Sequence, residues 1–141
     1  MISLALAQQL KTAGLNWSPA KNDFFVVPDR GLDEQVFVIS DLAVIVEKLH
    51  GQLSITFHGT PEWALDHVVV SEAVWLPTET QLREILEFRL VTERQPAIRL
   101  SSVSDGYWCE IQFQERLVIF ESFGAAEAYG TALLYVLETE K

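Results

Sequence analysis

Cysteine, basic residues and glycine-rich motifs are all scarce in this chain, and each scarcity removes a class of protein. Cys109 is the one cysteine among 141 residues, so an intramolecular disulfide is excluded. It lies in the strand-like run YWCEIQF, where a small buried residue is the ordinary reading and a reactive thiol the unusual one. Ten Lys and Arg stand against twenty Asp and Glu, for a formal net charge of −10. The acidity is even: −4 through Ser71 (4 basic, 8 acidic) and −6 beyond it (6 basic, 12 acidic). Nucleic-acid affinity rests on phosphate neutralisation by Lys and Arg, so direct nucleic-acid binding is not expected. An anionic membrane surface is disfavoured for the same reason. There is no GxxxxGK[ST] or GxGxxG phosphate cradle, no HExxH, no paired Cys/His metal spacing and no G-x-S-x-G elbow. The sequence therefore names no catalytic residue, no metal ligand set and no cofactor. No apolar run approaches a membrane span. The start, MISLALAQQLKTAGL, lacks a basic region and a signal-length apolar run, so a cytoplasmic location is the expectation.

What the chain does have is apolar bulk. Nearly half of it, 49%, is hydrophobic and 11% is aromatic, enough for a sizeable core. One compact domain over 1–141 is the expectation for this length.

Leu4, Ala7, Leu10 and Ala13 recur at helical spacing, with Ser3 placed to cap the start and Gly14 to end it. Trp17 follows in a loop and is expected to fold back onto the core. FFVV at 24–27 and VFVI at 36–39 read as strands around the PDRGLDE turn. LAVIVEKL at 42–49 fits a helix or a strand; the His50-Gly51 turn and LSITF beyond it favour a hairpin. Thr60-Pro61 is a helix start, with Trp63, Ala64, His67 and Val68 on one face. Thr78 to Gln81 is a capping box, opening a helix with Leu82, Ile85, Leu86 and Leu90 inward. AIRLSSV, a turn at Asp105-Gly106, YWCEIQF, a turn at Gln114-Glu115 and RLVIFESF make three antiparallel strands. A last helix covers about 125–138. The fold class expected is α+β, antiparallel sheets with helices packed on one side. The order α-β-β-β-α is repeated if the first half is read alike, giving two similar halves, 1–71 and 77–141.

The candidate site is the group Asp29, Arg30, His58, Trp63, Asp66 and His67, a place for a small ligand. His58 ends a strand beside a glycine and a helix start, where small anions or carbonyls dock. Asp66 and His67 point about a hundred degrees apart on a helix, so they make no simple dyad, but one of them can meet His58. The competing structural account has His58 hydrogen-bonding the turn, Trp63 packed inside and Asp66 solvated. Asp23, Asp29, Asp33 and Glu34 surround a turn without the spacing of a calcium loop, so solvation is the better account. The aromatics have acidic or apolar neighbours, which suits core and interface packing; exposed aromatics on YWCEIQF would mark a partner surface.

FVISD, FHGTPEWALD, VWLPTETQLREIL and EAYGTALLYVLE together resemble a family of small, acidic, functionally uncharacterised bacterial proteins. Its pattern is F-x-G-T-x-E-W-A-L-D followed by W-L-P-x-E-x-Q-L-R, and the likeness covers most of the chain. Some relatives carry a pilus-assembly label, but the ATPase this evokes needs a phosphate-binding loop. The resemblance supplies no catalytic residues. The C-terminal half is also similar in element order to double-stranded-RNA-binding domains, without their Lys-rich second helix. Its hairpin and AAEAYGTALLYVLE are similar to HicB-type antitoxin domains. Together these features point to a non-enzymatic protein-interaction or regulatory module, binding a protein partner or itself. One alternative is a small-ligand-binding protein or hydrolase centred on His58 and the 62–67 helix. The other is an antitoxin-like partner of a basic nuclease, which strong acidity would steer.

Overall fold

The computed structural model describes residues 1–31, 35–41, 43–58 and 67–140. It is an α+β protein of antiparallel sheets, and it divides into two compact units. One unit joins Met1–Leu15 to Pro77–Lys141; the other is Asn16–Leu76. The division at Leu76–Pro77 lies beside the boundary read from sequence, but the N-terminal helix belongs with the C-terminal half.

In the first of these units, α1 spans Leu4–Thr12, and the Ser3 side chain accepts the Leu6 N–H to cap it. Its end is closed by Gly14 N–H to Lys11 carbonyl and Leu15 N–H to Leu10 carbonyl. That pattern needs a left-handed residue after the cap, and Gly14 supplies it with φ 105°. α2 spans Glu79–Arg89 and begins at the expected capping box of Thr78 and Gln81. β7 (Ile98–Val103), β8 (Gly106–Phe113) and β9 (Arg116–Ser122) form a meander, and α3 (Ala125–Thr139) returns across it. Strand alternation decides which side chains meet the helices. Cys109, Ile111 and Phe113 are buried together with Ala128, Leu133 and Val136 of α3. Each fully buried Leu or Ile contributes about 1.5–3 kcal/mol, so this one seam holds the unit together. α1 lies close on α3 because Gly130 has no side chain: a Cβ there would sit 2.8 Å from Leu6 Cδ2. The Ser3 N–H and hydroxyl both donate to the Glu127 carboxylate, tying the two helix starts.

Two local details differ from the sequence reading or complete it. The β7–β8 turn is Ser104–Asp105, with Gly106 already the first residue of β8, not Asp105-Gly106. The reason is long-range. A Cβ on Gly106 would lie 2.3 Å from the Ser122 carbonyl, so only glycine fits where β8 begins. Cys109 is fully buried, and desolvation pushes its thiol up to about 12, so it is no nucleophile at neutral pH.

In the Asn16–Leu76 unit, β1 (Phe24–Val26) lies between β2 (Phe37–Val38) and β6 (Val74–Leu76). A second sheet has β4 (Gln52–Phe57) between β3 (Val44–Leu49) and β5 (His67–Val69). Phe25, Val27, Phe37, Ile39, Val44, Ile55, Val68 and Ala73 make the core, with Trp17 packed against it as expected. Residues 44–49 are therefore strand, closed by His50 and Gly51 at φ 50° and 82°. The helix expected to begin at Thr60-Pro61 falls largely outside the described residues. Its far end is corrected: His67 and Val68 lie in β5, Val68 opposite Ile55. The run Val68–Val70 is β-branched, and a strand seat on a buried partner satisfies it better than a helix. Among the described residues, six strands in two sheets differ from the three-stranded meander of the other unit. The echo between the halves is thus one of amphipathic pattern, not of strand connectivity.

Candidate functional site

Two surfaces have the chemistry of a site, one in each unit. The first lies on the β3–β4–β5 sheet and is polar because of strand parity. Ser54, Thr56 and His58 are two residues apart, so they share one face while Ile55 and Phe57 enter the core. Register places Glu47 opposite Ser54, and His67 opposite Thr56. Thr56 Oγ1 is 2.9 Å from Glu47 Oε2, 3.3 Å from the Ile45 carbonyl and 3.2 Å from His58 Nε2. A hydroxyl has one proton, and the carboxylate is both the nearest and the charged acceptor, so Thr56 donates to Glu47. Its oxygen is then left as an acceptor facing His58 Nε2 at 3.2 Å. Thr56 is only 7% exposed, whereas His58 and His67 are exposed, so the buried hydroxyl orients an accessible imidazole. The His58 backbone N–H also donates to the Ala43 carbonyl at 2.7 Å, continuing the ladder.

Of the residues singled out from sequence, His58 and His67 are brought together around Thr56. Trp63 and Asp66 lie outside the described residues. Asp29 and Arg30 sit exposed in the turn after β1, and the Arg30 guanidinium donates to Glu72 Oε2 at 2.6 Å. Of the acidic group, Asp23 is buried instead of solvated: its carboxylate accepts from Trp17 Nε1 and from the Ala20 N–H. Asp33 and Glu34 lie outside the described residues, and no cluster able to hold a metal ion occurs among those described. Sequence reasoning missed Glu47 and Thr56. The polar i, i+2, i+4 rhythm of Ser54, Thr56 and His58 was the available signal; Glu47 depends on register, which a single strand does not reveal.

The second surface is the outer face of the β7–β8–β9 meander. Register puts Arg99, Ser101 and Val103 of β7 there, with Trp108, Glu110 and Gln112 of β8 and Leu117, Ile119 and Glu121 of β9. Trp108 is 39% exposed, Leu117 63% and Ile119 47%. The strand YWCEIQF thus does carry an exposed aromatic. β9 borders β8 alone among the described residues, so one of its edges is open.

Compared with protein-family models, curated proteins and solved structures, the chain matches none of them. Among the described residues no helix is long and apolar enough to cross a membrane.

Proposed function

We propose that this chain is a non-enzymatic interaction module that pairs with a second copy of itself along β9. One observation carries the reading: β9 is a seven-residue edge strand whose outward side chains Leu117 and Ile119 are exposed. Long apolar edges attract another strand, and stable proteins blunt them with charge, bulges or cover. Here Arg116 and Glu121 guard the ends, but Leu117–Phe120 between them are uncharged and strongly β-forming. The two-residue turn at Gln114–Glu115 makes Phe113 and Arg116 the hydrogen-bonded closing pair. Alternation from that pair aims the backbone groups of Leu117, Ile119 and Glu121 at the open edge. An antiparallel twofold pairing sets Ile119 against its own copy and lays the Arg116 end beside the partner's Glu121 end. Opposite charges then meet at both ends, as a self-complementary interface requires. We place the module in the bacterial cytoplasm, with the small acidic proteins it resembles.

Sedimentation velocity tests this. The native chain is expected to dimerise at about micromolar concentration, and Ile119→Lys to raise the dimer Kd at least about a hundredfold with an unchanged circular dichroism spectrum. A native chain that is monomeric at tenfold higher concentration, or a variant that dimerises normally, overturns the reading.

The His58–Thr56–Glu47 chain supports a second reading, a small-ligand site on the other unit. The exposed imidazole of His58 leaves Nδ1 accessible to a small polar ligand or anion. Acetate and inorganic phosphate, followed by the ring signals of His58 and His67, are the probes. Binding lost in His58→Ala at unchanged Tm supports the site; silence toward both probes, or a lowered Tm alone, leaves His58 a structural residue.

A further inference from the structure

A recess of about 500 Å³ opens at the turn end of the β7–β8–β9 sheet, beside Ser104–Asp105 and the exit of β9. This volume falls inside the roughly 300–1,000 Å³ typical of small-ligand sites. Tyr107, Trp108 and Phe123 are the aromatic residues along it, and Asp105 and Glu121 the acidic ones; register sets Trp108 beside Glu121 on the outer face and Tyr107 on the opposite one. No Lys, Arg or His is among the residues that line it. Phe123 is 90% exposed, the least covered large apolar side chain of the described chain. It stands just before Gly124, the N-cap of α3, so the backbone that carries it is anchored on both sides.

We infer that this recess binds an organic ammonium group, either a quaternary head group or a lysine side chain. Aromatic faces carry negative charge density and attract a cation placed over them, while carboxylates add a longer-range pull. An anion would meet Asp105 and Glu121 with no cationic partner. A neutral apolar ligand would gain the rings but leave both carboxylates to be desolvated for nothing. An alkylated ammonium satisfies both parts of the lining: its methyl or methylene groups cover the rings, and its diffuse charge lies near the carboxylates without full dehydration. The overall charge of −10 draws such a ligand in and repels its anionic competitors. The recess shares Trp108 and Glu121 with the outer sheet face, but it does not require that β9 be paired.

The test is a titration followed by two-dimensional amide and indole NMR, at protein concentrations below and above self-association. Choline and Nα-acetyl-lysine methylamide are the cationic probes, and 3,3-dimethylbutan-1-ol is the neutral isostere of choline. Expected are shifts of the Trp108 indole and of the Tyr107 and Phe123 amides with Kd near 1 mM, at least about tenfold tighter for choline than for the alcohol. Trp108→Ala should abolish the response, Trp108→Phe should retain part of it, and Glu121→Gln should weaken it several-fold. Tighter binding of the lysine amide than of choline assigns a protein lysine as the source; the reverse order assigns a free quaternary ammonium. No shift with either cation at about 20 mM, equal shifts with the alcohol, or binding undiminished in Trp108→Ala overturns the inference. The response is read below self-association, where no second copy brings Arg116 to Glu121, so its failure leaves the β9 pairing untouched, and the converse.

Discussion

Gly106→Ala is expected to destabilise the Met1–Leu15/Pro77–Lys141 unit by about 3–5 kcal/mol, from the sum of overpacking and backbone strain. Two independent costs meet at this residue. The new Cβ would lie 2.3 Å from the Ser122 carbonyl oxygen and 3.0 Å from Phe123 Cα, and both are backbone atoms that no rotamer change can move. Gly106 also sits at φ 139°, a region that L-residues avoid. Relief requires the end of β9 to swing away from β8, and that end carries Glu121, Ser122 and Phe123. The substitution should therefore loosen the recess even in the fraction that stays folded. Urea unfolding followed by the amide signals of β8 and α3 measures the loss. Gly14→Ala is the control within the same unit: its φ is 105°, but no atom lies within 4 Å of the added Cβ. It should cost only about 1–2 kcal/mol, the left-handed penalty alone. Equal losses at the two positions would show that backbone conformation, not the β8–β9 approach, makes Gly106 necessary.

The same glycine shows where sequence stops being informative. A Ser-Asp-Gly run announces a turn, but which two residues occupy it is fixed by Ser122, sixteen residues away in sequence. Features governed by neighbours were legible: the Ser3 cap, the Gly14 ending, the Thr78–Gln81 box and the His50-Gly51 hairpin all form as their residue types dictate. Trp17 also folds back as its size and apolarity suggest. Features governed by register were not. His58 was recognisable as an imidazole at a strand end, yet the residue that orients it, Thr56, and the carboxylate behind that, Glu47, meet only through β3–β4 pairing. Thr60 and Pro61 start a helix convincingly, so sequence alone puts His67 on a helix face. The β-branched run after it and the waiting edge of β4 make it a strand instead. The exposed outer face of the meander was half legible: period-two alternation predicts Trp108 opposite in sense to Cys109, but not which side the helices cover.

Asp23→Ala should cost the Asn16–Leu76 unit about 1–3 kcal/mol, because one buried carboxylate serves two part-buried donors. Asp23 is 5% exposed; its Oδ2 accepts from Trp17 Nε1 at 2.9 Å and from the Ala20 N–H at 3.0 Å. Its backbone closes the same loop, donating to the Ala20 carbonyl and accepting from Ile39 N–H. Removing the side chain takes the Oδ2 acceptor away from both the indole and the Ala20 amide. The neighbourhood is already short of acceptors: Trp75 Nε1 is buried without a hydrogen-bond partner among the described residues. Trp17 lies over Trp75 with ring centroids 6.3 Å apart and planes 6° from parallel, and it also meets Phe25 at 5.7 Å. The hydrogen bond to Asp23 therefore fixes the pose of a ring that covers the core. Trp17→Phe keeps an aromatic ring but loses the N–H and part of the indole's bulk against Phe25 and Trp75, so it should cost about 1–3 kcal/mol. In the double variant the orphaned indole no longer exists, and the total should fall short of the sum by about 1 kcal/mol. Tryptophan fluorescence during urea unfolding reads this unit through Trp17 and Trp75. Strict additivity would mean that Asp23 stabilises through the Ala20 amide alone. A loss below about 1 kcal/mol for Asp23→Ala would mean that the carboxylate is rehydrated in solution, and the loop from Trp17 to Asp23 opens to admit that water.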